Sequence, residues 1–461
     1  MQLTLPNYIL SIPTKLTQAG YEVYLVGGSV RNLLLEKEVK DWDMTTNATP
    51  EEILQLFPDG FYDNQFGTVG IVVTEREIKQ VIEITTFRSE SEYKDRRHPE
   101  KVTWGKTIQE DLQRRDFTIN AMAIPLHAAP PIQSKARKDM EIIDPFNGKQ
   151  DLQDRIIRAV GKPNERFKED ALRLLRAIRF ATQYGFTIED TTWKAIHEDA
   201  ALLPAISAER VHDELLKILS SEHPYEGIML LKNAKLLEYI LPELLEGVGI
   251  SQERPGRHHT TDVFTHNVSS LKECPSTDPI VRFATLIHDI GKPRVRSEDK
   301  EGLVIFYNHE VVGARIAYEI CNRLRFSKKE RDKIVMLIRW HMFTIDEHIT
   351  DSAIRRFIRR VGVENVKDMI DLRIGDRLGG GTQTAESWRL KLFKKRVEEQ
   401  LQPAPFSIKD LAIDGNDVMK ELNMKPSKKI GEILQKLFEE VDEDLSLNTK
   451  EHLLERIKVI L

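Results

Sequence analysis

The sequence predicts an α/β head over residues 1–145 followed by an all-α remainder, divided at 146–252, 253–380 and 381–461. Three observations carry that reading. Residues 21–26 alternate in the manner of a strand and run straight into Gly27-Gly28. Strand-like runs recur at 67–73, 80–86 and 121–125. From Leu152 onward apolar residues fall at helical spacing almost without interruption, with amphipathic stretches at 168–184, 208–219 and 225–237.

At 461 residues the chain is too long for one ordinary domain. An apolar content of 40% with 31% charged residues excludes a disordered or fibrous chain. No run approaches the roughly 18 apolar residues of a membrane span, so no membrane partner is expected. Met1 to Pro6 lacks the basic start and apolar core of a secretory signal. Cys274 and Cys321 alone make no disulfide framework, and the expected location is the cytoplasm. A net charge of −5 argues against indiscriminate nucleic-acid binding and leaves room for a local basic groove. Glu253-Arg254-Pro255-Gly256-Arg257 reads as a linker and Gly379-Gly380-Gly381 as a second break.

The head carries Val26-Gly27-Gly28-Ser29-Val30-Arg31, followed ten residues later by Asp41-Trp42-Asp43. A Gly-Gly turn that opens a helix frees backbone N–H groups for a phosphate, with Gly28 at the approach and the helix dipole favouring the anion. Arg31 adds a guanidinium fork. Asp41 and Asp43, two apart on an expected strand, share one face and are suited to hold Mg²⁺ against a triphosphate. Glu83, within Ile82-Glu83-Ile84, is the candidate third carboxylate. Arg114-Arg115-Asp116, followed by Asn120, offers bidentate contacts to ribose and phosphate oxygens. Between these clusters, residues 87–99 are too polar to be buried and read as a mobile loop beside the site. Phosphate cradle and carboxylate pair together are the equipment of nucleotidyl transfer.

A second charged stretch runs from Glu169 to Arg179. Asp170, Arg173, Arg176 and Arg179 recur every three residues and are expected on one stripe of a helix. Asp170 is suited to accept from an amino group of a base and Arg173 to donate to the neighbouring ring nitrogen. Cytosine and adenine satisfy both; guanine and uracil present the reverse pattern and leave polar groups unpaired.

These motifs resemble the class II tRNA nucleotidyltransferases, the CCA-adding enzymes and their relatives, whose head has a DNA polymerase beta-like nucleotidyltransferase fold. The resemblance rests on Gly27–Arg31 with Asp41 and Asp43, on Arg114-Arg115-Asp116, on the hinge Asp144-Pro145-Phe146-Asn147-Gly148, on Glu169, Asp170 and Arg173, and on Ser207-Ala208-Glu209-Arg210. Ser207 is expected to cap a neck helix. The family places Asp after the motif arginine, where this chain has Asn32. The resemblance implies CTP, ATP and tRNA as partners, with no protein partner. It implies addition of CCA to the tRNA 3′ end with release of pyrophosphate. The alternatives are addition of A alone, of CC alone, or poly(A) synthesis. Members that add only CC have a shortened loop between the first two motifs, and residues 88–99 read as a complete loop here. Residues 146–252 become a neck and body.

The third block is rich in histidine. His266, His288-Asp289, His309, His341 and Asp376 follow in order, a donor set suited to Mn, Ni, Fe or Mg ions. It resembles the HD phosphohydrolase superfamily, with His309 and His341 matching the extra ligands of its two-metal members. That implies hydrolysis of a phosphomonoester or a 2′,3′-cyclic phosphate; a helical body merely supporting RNA is the structural alternative. In the tail, Lys425-Pro426-Ser427-Lys428-Lys429 is a basic turn entering a helix and a candidate contact to an RNA backbone.

Overall fold

The computed structural model describes residues 6–39, 41–63, 67–75, 78–88, 104–126, 141–252, 261–343, 346–382, 384–401 and 407–460. The expected linker at 253–257 and most of the expected loop at 87–99 lie outside these residues. The chain forms two compact units, residues 1–242 and 243–461, where the sequence predicts four pieces. Polar contacts cross two of the expected boundaries. Asp116 binds Arg176 (2.5 Å) and Thr118 binds Asp151 (2.6 Å) across the 145/146 boundary. Arg355 and Arg359 clamp Asp442 at 2.7 and 2.5 Å across the 380/381 boundary.

The first unit is built on a mixed sheet of six strands: β1 (Val23–Val26), β2 (Met44–Thr46), β3 (Phe61–Asp63), β4 (Thr68–Glu75), β5 (Ile78–Thr86) and β6 (Ala123–Pro125). Their order is β3-β4-β5-β2-β1-β6. Only β2 and β5 pair in parallel, with Met44 opposite Ile84; β1 runs antiparallel to both β2 and β6. Val23, Leu25, Val26, Met44, Ile82 and Ile84 are buried, as strand alternation and burial require. The polar side chains of this core are satisfied: Thr45 donates to the Thr85 carbonyl (2.9 Å) and Thr86 to that of Ala48 (2.8 Å).

Helices follow at Gly148–Asp154, Pro163–Glu169, Leu172–Tyr184, Asp190–Asp199, Ala208–Leu219 and Pro224–Asn233. The expected helix 168–184 is in fact two. Asp170 is extended between them (φ −144°, ψ 101°) and its Oδ1 accepts the Leu172 N–H at 3.0 Å. A short carboxylate side chain competes with helical bonding and starts the next helix instead. Likewise 225–237 divides into Pro224–Asn233 and Leu237–Ile240. The Asp144 carboxylate accepts the N–H groups of Gly148 (2.7 Å) and Lys149 (2.9 Å), so the expected hinge anchors a helix start. The remainder is not entirely α: Ile156–Ile157 pairs with Thr187–Ile188, and Ser297–Glu298 with Val304–Ile305.

In the second unit the helices Val263–Glu273, Pro279–Leu286, His309–Arg323, Lys328–Trp340 and Val366–Gly379 carry the histidine block. Helices Trp388–Leu401, Gly415–Leu422, Lys428–Glu443 and Lys450–Ile460 complete it. Val418, Leu437, Val441, Leu453 and Ile457 form a buried core in the last of these. Among the described residues, no helix is long and apolar enough to cross a membrane.

Candidate active site and metal centre

β1 passes into the helix Gly27–Leu34 with no intervening loop. Gly27 turns the chain with φ +64°, and a Cβ there would lie 2.8 Å from Arg115 Nη1 and 3.4 Å from Asp43 Oδ2. The turn therefore needs glycine for both its backbone angle and its close approach. Ser29, fully buried, fixes the carboxylate segment. Its Oγ donates to the Asp41 carbonyl and accepts the Asp43 N–H, both at 2.8 Å. Asp41 and Asp43 precede β2 and are not part of it; the Val26 N–H bonds the Asp43 carbonyl at 3.0 Å. Burial pushes the Asp43 carboxyl up; Arg115 opposes this, while the neighbouring Asp41 and Glu83 carboxylates add to it. Asp41 and Asp43 line one cleft and are the carboxylate pair suited to a divalent cation.

Arg31, 7% exposed, is held from several sides. It donates to Asn120 Oδ1 at 2.5 Å and to Asn32 Oδ1 at 3.1 Å, and it lies over the rings of Phe180 (5.2 Å) and Tyr184 (4.9 Å). The Tyr184 hydroxyl also donates to Asn32 Oδ1, at 3.4 Å. Asn32 thus supplies the acceptor that positions Arg31 without a second negative charge.

Arg114 and Arg115 share one buried carboxylate, Asp111, at 2.6 and 2.9 Å. Burial raises the Asp111 carboxyl, but Arg115 and Arg114 outweigh it and hold it at about 2. Asp116 accepts from Asn120 (2.9 Å), from its neighbour's N–H at Phe117 (2.8 Å) and from Arg176 Nε (2.7 Å). Burial works against its charge, yet Arg176 and Asn120 keep its pKa well below the usual carboxylate range.

Asp170, Arg173, Arg176 and Arg179 all line the same cleft as Gly28, Arg31, Asp41, Asp43, Arg114, Arg115, Asp116 and Asn120. Its volume is about 560 Å³. Arg173 is fixed by Glu169 (2.6 Å) and by the carbonyls of Arg166 and Arg114, both at 3.0 Å. Glu169 also binds Arg166 (2.8 Å) and stands behind Arg173 instead of lining the cleft. Arg179 binds the buried Glu214 at 2.7 Å. Glu83 lies on β5, exposed, outside the cleft lining.

Sequence reasoning gave no role to five residues here: Asp111, Phe180 and Tyr184, and Ser29 and Arg210, which stand inside quoted motifs. Arg210 donates to Asp170 Oδ2 at 2.7 Å and lines the cleft. Asp111 was legible in principle, because it stands three and four residues before the two arginines. Ser207 does occupy the N-cap position, without a side-chain cap bond.

The histidine block converges on one buried carboxylate. His266 Nε2 and His288 Nε2 approach Asp289 Oδ2 at 3.2 and 3.3 Å, and Asp376 Oδ1 at 3.3 and 3.5 Å. On the other side His309 Nε2 and His341 Nε2 lie 3.3 and 3.7 Å from Asp289 Oδ1. All six predicted residues are therefore together, in two groups that share Asp289. The Nδ1 atoms of His288, His309 and His341 each meet the carbonyl three residues earlier, at 2.8, 2.8 and 2.7 Å. That contact makes Nδ1 the donor and turns the Nε2 lone pair inward. The carboxylates draw a proton to one imidazole and not to all: burial opposes the His288 imidazolium, but Asp289 and Asp376 push its pKa up to about 10, whereas burial pushes that of His341 down. A Cβ on Gly291 would fall 2.2 Å from the His309 carbonyl oxygen, so glycine lets the His309 helix close on Asp289.

Residues 23–158 match the family of poly(A) polymerase head domains, and 185–247 a family described as a probable RNA and SrmB-binding site of polymerase A. Residues 297–457 match a family described as tRNA nucleotidyltransferase domain 2. The CCA-adding enzyme of Ligilactobacillus salivarius is 31% identical over 457 residues, 98% of this chain and 96% of that one. The A-adding tRNA nucleotidyltransferase of Deinococcus radiodurans is 35% identical over 72% of this chain and 75% of its own. The Bacillus stearothermophilus CCA-adding enzyme, solved in complex with CTP, shares the fold: TM-score 0.71 and 24% identity, covering 99% of this chain and 98% of that one.

A mixed-sheet nucleotidyltransferase head on a largely helical body is the class that fold and matches define. The chain belongs to the family of CCA-adding enzymes and poly(A) polymerases, and it is a tRNA nucleotidyltransferase.

Proposed function

We propose that the enzyme adds CCA to the 3′ end of tRNA, drawing CTP and then ATP into the head cleft without a template. The observation that carries this is the single cleft in which Asp41, Asp43, Arg31, Arg115, Asp170 and Arg173 meet. Asp41 and Asp43 would hold Mg²⁺, without Glu83, which stands outside the cleft; the ion would supply a lowered hydroxyl pKa and charge neutralisation at the leaving pyrophosphate. Arg31, Arg114, Arg115 and Arg176 bind triphosphate and ribose oxygens, while Asp116 and Asn120 hold the guanidiniums that reach them. The tRNA 3′-hydroxyl attacks the α-phosphate and pyrophosphate leaves. Asp170 and Arg173 read the base edge and Arg179 braces that wall. RNA is held by shape and backbone, with Lys428 and Lys429 at the start of the helix Lys428–Glu443 as contacts. A second reading, addition of the final A alone, is favoured by the Deinococcus relative.

Residues 253–380, within the second unit, are proposed to be an HD phosphohydrolase domain. His266, His288, Asp289 and Asp376 would hold one divalent ion, and Asp289, His309 and His341 another, of Mn, Ni, Fe or Mg. Such ions supply water with a pKa near neutrality for attack on a phosphomonoester or a 2′,3′-cyclic phosphate. Paired assays of Asp41→Ala and His288→Ala test both readings. The first variant should lose nucleotide transfer and keep phosphatase activity; the second should do the reverse.

A further inference from the structure

The helix Asp351–Val361 carries two arginine pairs at i and i+4 spacing. Arg355 and Arg359 are consumed by Asp442. Arg356 and Arg360, on another side of the helix, have no ion pair among the described residues, and both line a pocket of about 280 Å³ in the second unit. Its walls are aromatic. Trp340 has the Arg339 and Arg360 guanidiniums 4.5 and 4.7 Å from its ring centroid. Phe343, Phe357 and Phe393 form a three-ring cluster with centroids 4.8 to 5.2 Å apart. Glu310 is the one carboxylate of the lining, 3.5 Å from Arg339 Nη1. Three guanidiniums against one carboxylate leave the pocket cationic.

The pocket also adjoins the histidine cluster. Trp340 and Met342 flank His341 in the chain, and Glu310 follows His309, its Oε2 lying 3.8 Å from His309 Nδ1. A volume of about 280 Å³ falls just below the range of drug-sized ligand sites, roughly 300–1,000 Å³. It admits one nucleotide and excludes a helix or strand of a protein partner. An aromatic ring stacks any base, and unpaired arginines pair with a phosphate.

We propose that this pocket binds a single nucleotide, the terminal residue of an RNA or a free nucleoside monophosphate, with the Arg360 guanidinium leaving the Trp340 ring to join Arg356 on the phosphate and the base taking its place on the ring. It rests on the phosphohydrolase reading only for what the phosphate then meets; binding itself stands apart. Arg356, Arg360 and Trp340 are positioning residues for that ligand.

The test is calorimetric titration of adenosine 3′-monophosphate into the full chain, freed of metal, with Asp170→Ala/Arg173→Ala run in parallel to subtract binding in the head cleft. Arg356→Gln/Arg360→Gln should weaken the probe about tenfold or more, with nucleotide transfer by the head unchanged. Trp340→Ala should weaken it also, and Trp340→Phe should restore most of the affinity. Equal affinity in wild type and the double variant overturns the inference, as does no binding by wild type or a preference for an acidic peptide. Absence of turnover with every divalent metal, with probe binding intact, sinks the phosphohydrolase reading and leaves the pocket standing.

Discussion

Arg210 Nη2 lies 2.7 Å from Asp170 Oδ2, while the other oxygen of Asp170 accepts the Leu172 N–H at 3.0 Å. Both oxygens of the base-reading carboxylate are thus aimed before a nucleotide arrives. Each oxygen retains a lone pair for an amino group, so the contacts orient Asp170 without saturating it. Asp170→Asn introduces an amide donor where cytosine and adenine present one. Incorporation of UTP or GTP relative to CTP should rise about tenfold or more. Arg210→Ala should relax the same selectivity less severely, because it frees the carboxylate without changing its chemistry. Competition between labelled nucleotides measures both ratios, and unchanged selectivity in Asp170→Asn would remove Asp170 from base reading.

Ser29 links the phosphate turn to the carboxylate segment through two bonds of 2.8 Å. Ser29→Ala leaves the Asp43 N–H without its acceptor, at a cost of about 1–3 kcal/mol in stability. Transfer should slow at saturating CTP, since the displaced carboxylates act in the transition state and not in nucleotide binding. Urea unfolding and a kcat determination check the two effects separately. Asp43→Asn, by contrast, should abolish transfer by at least about a hundredfold and leave the fold intact.

Asp111 is buried beneath Arg114 and Arg115 and titrates at about 2 instead of 3.8. A folded-state pKa below the unfolded one stabilises the native chain above about pH 4. That contribution, about 2 kcal/mol, fades as pH falls towards 2. The stability gap between wild type and Asp111→Asn should therefore be wide at pH 7 and shrink between pH 4 and 2.5. A gap independent of pH would show that the Asp111 charge is not what holds the two arginines.

Asp289 belongs to both halves of the histidine cluster. Asp289→Ala should lose two equivalents of divalent metal, whereas His266→Ala and His309→Ala should each lose one. Elemental analysis of dialysed protein distinguishes these outcomes. Identical loss in all three variants would mean a single ion.

Much of the fold and of both sites was legible in the sequence. The strand–Gly-Gly–helix start and the carboxylate pair follow from local chemistry: a glycine-only backbone angle and short polar residues beside it. The six metal-ligand candidates were legible because imidazole and carboxylate donors recurring along successive apolar helices suit a metal ion better than a packed core. Local reasoning failed where partners come from distant segments. Arg210 stands in a legible motif, but its pairing with Asp170, 40 residues earlier, gives no signal in a window around either residue. Phe180 and Tyr184 read as core positions of an amphipathic helix, and only the fold shows Arg31 lying across their rings. The helix break at Asp170 was hidden by good periodicity on both sides, which a single capping carboxylate overrides.

The central claim is that one cleft serves both C and A addition. The direct measurement is incubation of the purified chain with a tRNA that ends before the CCA, with CTP and ATP, resolving products at single-nucleotide length. A single cleft serving both additions gives growth by three nucleotides with both substrates and by two with CTP alone. Extension confined to tRNAs that already end in CC would contradict it.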